Sequence, residues 1–441
     1  MLLLSALLAI ATPADAMECG TPQALDALRG LGPATHAGMR SRPPQLTPPD
    51  GPPPPSRTHY GTPWDDHYDT EHFTINWWDP TVSPEDVSAA AEALEAGWQA
   101  FIDEQGWPAP VSSDQYFIWV LLDPGLGSTT GYTTEYFSDD YPEGYPSIYI
   151  NPDTREAFGE AFYAALSVHE FMHAVQYGMR DYAGSEGDIE NWYWEASATH
   201  ASELAAPEVD GHQYTSEWYA VRPEVRYDSY EGSHQYGIFV FNAWLDHTLG
   251  AGSMRAVWEA GVDHPGEPWT VPMAAATGWS APALWAGFTD AYGNRSLPES
   301  ALYTRAATRG QLEDGAADTL AELGTHYWEV DEDTDVGVIS GDVILGGTTE
   351  PGEAVTAAAG SILSVTALAD GTDYVLQLAG PGELTTPEAP EDSGQTDSGQ
   401  STDDGTLPSD SSGDKGGCAT APAMGGLLVA LVAVWRRRVS P

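Results

Sequence analysis

Lysine is nearly missing from this 441-residue chain. Lys415 is the single example, and 16 basic residues in all face 66 acidic ones, a formal charge of -50. A surface of that sign repels phosphate backbones and anionic headgroups, which excludes nucleic-acid binding and polybasic membrane docking. Cysteine is almost as scarce. Cys19 and Cys418 lie near opposite ends, so the body of the chain has neither a disulfide framework nor a cysteine-built zinc cage. Internal repeats are lacking. The glycine-rich stretch GLGSTTG (125–131) is followed by no helix, which argues against a phosphate loop. What the chain has is apolar material: 41% hydrophobic and 11% aromatic residues, with 16 Trp, enough for a sizeable core despite the charge. Its length allows two or three domains.

Both ends read as addresses. Met1 to Ile10 form a short apolar run, and Ala14-Asp15-Ala16 supplies the small-x-small pattern that signal peptidase reads, so export is expected. At the far end, Cys418 precedes an apolar stretch from Met424 to Trp435 and then Arg436-Arg437-Arg438. That stretch is shorter than the ~20 residues of a membrane span. The order cysteine, short apolar run, arginine cluster resembles the tripartite sorting tail of exported myxobacterial proteins (MYXO-CTERM). The resemblance implies a sorting or processing peptidase acting near Cys418, and a protein displayed at the cell surface or released outside the cell. A simple membrane anchor is the alternative.

Composition divides the rest. Residues 1–16 read as the signal peptide, and 17–58, with PPQLTPPDGPPPP inside, as a proline-rich leader or propeptide. Residues 59–310 hold the main domain, 311–382 a small all-β module of short alternating runs, and 383–416 an acidic Ser/Thr/Gly/Asp stalk ahead of the tail at 417–441. Within the main domain, EHFTINWW (71–78), QYFIWVLL (115–122) and SIYI (147–150) read as strands. Ser83 caps a helix running from Pro84 to about Gln105. Asp153 and Glu156 look like a capping pair launching one helix to about Tyr177, and residues 189–288 read as mostly helical. The expected class is α+β: a small N-terminal mixed sheet, a mainly helical body, and the all-β module.

The chemistry lies in His169-Glu170-Phe171-Met172-His173. A spacing of four puts both imidazoles on one helix face, one turn apart, where they can share a single ion at about 2.0–2.1 Å. Glu170 is turned about 100° from His169, beside an ion and not on it, where a general base acting on water is needed. The bland alternative is a pair of hydrogen-bonded core histidines. A third ligand is required, and the metzincin pattern cannot supply it, because Gln176 and Met179 stand where that pattern needs Gly and His.

The segments HEFMHAVQYG, WYWEASA and SHQYGIF together resemble the gluzincin metallopeptidases, of which thermolysin-like enzymes are examples. In that resemblance Glu195, 195 minus 173 or 22 residues beyond the second histidine, is the third zinc ligand. Tyr236 or His234 would steady the oxyanion, and His200 is a structural residue. The acidic residue that such a helix carries four positions after its glutamate is here Thr199, so the partner that orients a ligating histidine is open among Glu203, Glu190 and a backbone carbonyl. The resemblance also gives SIYI two readings, an edge strand pairing with substrate backbone or an ordinary internal strand.

These features imply an exported Zn2+ peptidase acting on protein or peptide substrates, with Glu170 as general base. Two other readings stay open: a surface-displayed protein whose metal site is vestigial or structural, and a binding module centred on the β region. In that region Asp331, Asp333 and Asp335 could hold Ca2+ by carboxylate density, although Val336 stands where an EF-hand loop needs Gly.

Overall fold

The computed structural model describes residues 18–19, 66–138, 141–179, 192–205, 212–229, 233–382 and 384. The chain divides into two units, residues 1–387 and 388–441, and the described residues all belong to the first. The expected signal segment, most of the proline-rich leader, nearly all of the stalk, and the sorting tail with Cys418 lie outside the described residues.

The fold is α+β. Six strands form one mixed sheet: β1 (Glu18–Cys19), β2 (His67–Asp69), β3 (Phe73–Trp77), β4 (Ile118–Leu122), β5 (Thr129–Ser138) and β6 (Tyr141–Ile150). Their order is β1-β5-β6-β4-β3-β2. β3, β4 and β6 run parallel, whereas β5 is antiparallel to β6 and carries β1 on its outer edge. β4 reads IWVLL and is buried at every position, the continuous apolar run that a strand covered on both faces requires. SIYI belongs to β6, which has β5 on one side and β4 on the other. Its internal reading is therefore the right one. The strand between it and the sheet margin is β5, whose Thr- and Gly-rich sequence gave little warning.

Helix α1 (Pro84–Trp98) starts as its sequence requires. Ser83 and Asp86 exchange hydrogen bonds in a capping box, with the Ser83 hydroxyl 3.1 Å from the Asp86 N–H and the Asp86 carboxylate 2.8 Å from the Ser83 N–H. The expected single helix from Asp153 is two, α2 (Asp153–Phe158) and α3 (Glu160–Gly178). Gly159, at φ 97°, breaks them apart. Asp153 and Glu156 form no capping pair. Pro152 stands at the cap without a side-chain bond, and Asn151 just ahead of it accepts from the Asp153 N–H through its side-chain oxygen at 3.1 Å.

Every residue of α3 from Leu166 to Tyr177 is buried, polar ones included, which makes it the central helix of the body. One side meets α1 and the sheet, where Phe171 packs edge-on to Phe73 with ring centroids 5.3 Å apart. Another meets α4 (Trp192–Ala205). Further helices follow: α5 (His212–Ala220), α6 (His234–Gly237), α7 (Phe239–Leu249), α8 (Ser253–Asp263), α9 (Thr270–Thr277) and α10 (Ala281–Gly293). The tryptophans gather behind α4. Trp192 and Trp194 on α4 are fully buried together with Trp258, Trp269 and Trp285. Trp194 and Trp258 meet edge-on at 5.2 Å, and Trp258 and Trp269 lie 4.8 Å apart. Truncating one such side chain costs about 3–5 kcal/mol, so this wall fixes α4 firmly.

The C-terminal module has a three-stranded sheet of β10 (Val343–Leu345), β12 (Ile362–Ala367) and β8 (Thr325–Glu329). A four-stranded sheet of β11 (Val355–Ala357), β9 (Thr334–Ser340), β13 (Thr372–Ala379) and β7 (Ala317–Leu320) completes it. It is joined closely to the helical body. Asn294, just after α10, donates to the Ile362 carbonyl at 2.9 Å and accepts from the Ile362 N–H at 2.8 Å. The Tyr219 and Tyr327 hydroxyls meet at 3.0 Å. Among the described residues, no helix is long and apolar enough to cross a membrane.

Candidate metal centre

His169 and His173 project from one face of α3 toward Glu195 on α4. Their Nε2 atoms are 3.1 Å apart, and the two rings stand perpendicular at 89°. Glu195 Oε2 lies 3.1 Å from His169 Nε2 and 3.7 Å from His173 Nε2. Ligand atoms bound tetrahedrally at about 2.05 Å would be roughly 3.3 Å from one another, so the three donors stand at the spacing that one ion requires. Among the described residues, Glu195 Oε1 has no hydrogen-bond partner although the side chain is fully buried. An orphaned carboxylate oxygen in a dry site is costly unless a cation meets it. His169, His173 and Glu195 thus form a buried group able to hold a metal ion, the one such group among the described residues.

Glu195 and His173 each shift the charge of the other. Burial is the largest influence on Glu195 and opposes its charge, yet His173 and His169 beside it bring its carboxyl down to about 2. Burial likewise opposes a charged His173, but the Glu195 carboxylate outweighs it and raises the imidazole above its usual value. A cation among the three side chains would take over the compensation of the Glu195 carboxylate that the His173 proton gives.

Glu170 lies next to this group, also fully buried. Two residues of β5 set its position. The Thr133 hydroxyl lies 2.9 Å from Glu170 Oε2 and 2.7 Å from the Glu170 main-chain oxygen. Gly131 leaves the space for the carboxylate, since a Cβ there would come within 2.9 Å of Oε1. On the other side, Gln176 Oε1 faces His173 Nδ1 at 2.7 Å. Gln176 is thus a partner of His173 that was not among the expected residues, and Glu190 lies outside the described residues. Sequence reasoning missed all three. Gln176 follows His173 by three positions, a spacing that shares a helix face, and could have been found that way. Nothing local marks Thr133 or Gly131.

Tyr236 and His234, both on α6, part company. The Tyr236 ring centroid lies 6.1 Å from that of His169, within reach of the site. His234 packs against Tyr219 at 5.5 Å, is 1% exposed, and neither ring nitrogen has a hydrogen-bond partner among the described residues. Burial, with Arg222 adding to it, drives its pKa down to about 3, so the ring is neutral. His200 turns away from the ligands and meets Asp246 at 3.1 Å, as a structural histidine would.

The acidic run in the β module is already engaged. Asp333 accepts the Ala359 N–H at 2.8 Å, and Asp335 accepts the Thr356 hydroxyl at 2.7 Å and the Gly382 N–H at 2.6 Å. With Asp331 these residues do not form a metal-binding group. No protein-family model and no curated protein matches this chain, so its function has to be read from the site itself.

Proposed function

We propose that the chain is an exported, zinc-dependent peptidase that hydrolyses peptide bonds in protein or peptide substrates. The observation that carries the reading is the placement of Glu170, a buried carboxylate held by Thr133 beside, and outside, the group of His169, His173 and Glu195. A structural metal site has no need of a second acidic residue so placed, outside the ligand set.

His169, His173 and Glu195 would hold the ion. Zinc, when bound, supplies Lewis acidity, making water nucleophilic near neutral pH and drawing charge from a carbonyl oxygen. Glu170 takes the proton of the attacking water and later delivers it to the leaving amine. Thr133 holds the carboxylate that carries the proton, while Tyr236 donates a hydrogen bond to the developing oxyanion. An extended substrate pairs through its backbone with the outer edge of β5, which brings the scissile carbonyl alongside Glu170. The charge of -50 disfavours strongly anionic substrates.

Metal analysis of the purified protein, joined to casein hydrolysis with and without a zinc chelator, tests the reading. One equivalent of zinc and chelator-sensitive hydrolysis are expected; hydrolysis that survives complete metal removal overturns it. Export and processing near Cys418 are tested separately by cell fractionation of Cys418→Ala, which is expected to stay unprocessed in the membrane.

A further inference from the structure

We infer that Gln176 is the positioning residue of the metal centre. Its amide fixes which nitrogen of His173 faces the ion, and it locks the helix bearing both histidines to the helix bearing Glu195. The inference rests on the reading of His169, His173 and Glu195 as metal ligands.

Gln176 is fully buried on α3. Its Nε2 lies 3.1 Å from the Trp194 carbonyl oxygen and 2.9 Å from Ser197 Oγ, both on α4. A carbonyl oxygen only accepts, so the amide nitrogen must face Trp194, and Oε1 is left facing His173 Nδ1 at 2.7 Å. That oxygen also only accepts. Nδ1 therefore carries a hydrogen, and Nε2 is the nitrogen turned toward His169 and Glu195.

The orientation of the amide is itself fixed. The Ser197 hydroxyl donates to the Tyr193 carbonyl at 2.5 Å and accepts from Trp258 Nε1 at 3.1 Å, which leaves one lone pair for Gln176. A flipped amide would set oxygen against oxygen at Trp194 and leave two buried groups unmatched. Trp194 and Ser197 flank Glu195 in α4. One side chain thus ties the direction of His173 Nε2 to the register of the Glu195 helix, before any ion arrives. A carboxylate at 176 would still accept from His173 but would present no hydrogen to α4, so a neutral amide is the residue type that serves both sides.

The test uses the full chain with nitrogen-15 in its histidine rings. In the wild type, with or without zinc, the His173 Nδ1 proton is expected to be shifted downfield and protected from exchange. Gln176→Leu is expected to lose that signature and to bind zinc 10–100-fold more weakly in competition with a chelator. Gln176→Glu, which keeps the acceptor, is expected to restore the protected proton. A role in packing alone would leave the Nδ1 proton as it was in Gln176→Leu. A wild-type His173 protonated only at Nε2, or a leucine variant with unchanged zinc affinity, overturns the inference, and the wild-type measurement decides it even if a variant fails to fold. If the wild type takes up no zinc, the reading of the ligands is what fails, and the proton signature still reports whether Gln176 holds His173.

Discussion

Gly131 and Glu170 are in van der Waals contact across the boundary between β5 and α3, so close that a side chain at 131 would begin 2.9 Å from Glu170 Oε1 and 3.0 Å from Glu170 Cγ. The proposed general base and the strand beside it are one piece of geometry. Gly131→Ala is expected to push the carboxylate out of place and lower hydrolysis about a hundredfold, the usual result of a displacement near 1 Å. Zinc content should be unchanged, because no ligand moves. Equal activity in the two proteins would show that the position of Glu170 is not critical.

Glu170→Gln keeps the size and the Thr133 contact of the side chain but cannot take a proton. It is expected to retain metal and thermal stability while losing hydrolysis by about 10²–10⁴-fold. Steady-state hydrolysis at matched zinc occupancy is the measurement. A variant that keeps both metal and activity removes Glu170 from the mechanism.

Zinc is expected to stabilise the fold through Glu195, which is fully buried with one oxygen unpaired among the described residues. At a free zinc concentration a hundred times Kd the gain is about 2.7 kcal/mol, readable as a rise in Tm that a chelator reverses. In Glu195→Gln, differential scanning calorimetry should find most of that rise gone. A zinc-dependent rise equal to that of the wild type would mean that the ion binds elsewhere.

His234 gives the fold an acid sensitivity of its own. The unfolded chain takes up a proton on this imidazole below the ordinary value of 6.5, while the folded chain refuses it down to about 3. The contribution is complete above pH 6.5 and is lost as pH falls toward 3, at about 1.4 kcal/mol per unit. Urea unfolding of His234→Phe between about pH 6 and 4 should show a correspondingly shallower loss of stability. Parallel slopes for the two proteins would mean that the folded state protonates His234 as readily as water does.

Legibility followed the reach of the interactions. His169, Glu170 and His173 stand on one helix, and their placement follows from a spacing of four and a turn of 100°, which the sequence carries locally. Glu195, 22 residues on from His173, came from the resemblance of WYWEASA to the gluzincin glutamate helix, and the structure brings it to the two histidines as expected. The start of α1 was legible because Ser83, Pro84 and Asp86 settle it within four residues. Where sequence reasoning went astray, a distant partner decided the outcome. SIYI had two readings, edge or internal, and only its pairing with β5 and β4 on either side makes it internal. Gln176 was read solely for the glycine that it replaces; its meaning comes from Trp194 and Ser197 on another helix. Asp153 and Glu156 had the right spacing for a cap, but Asn151 was nearer to the free N–H.

The short strand β1 changes what the outer edge of β5 can offer. Glu18 pairs there with Thr129 and Cys19 with Gly131, running in the same direction as β5. A strand edge exposes one row of N–H and C=O groups, and one neighbour uses it at a time. Under the proposed substrate pairing, a peptide arriving at Gly131 would not land on bare backbone: it would trade places with Glu18 and Cys19. Its apparent affinity is then a difference between two pairings, and would rise in any form of the chain from which residues 18–19 had been removed.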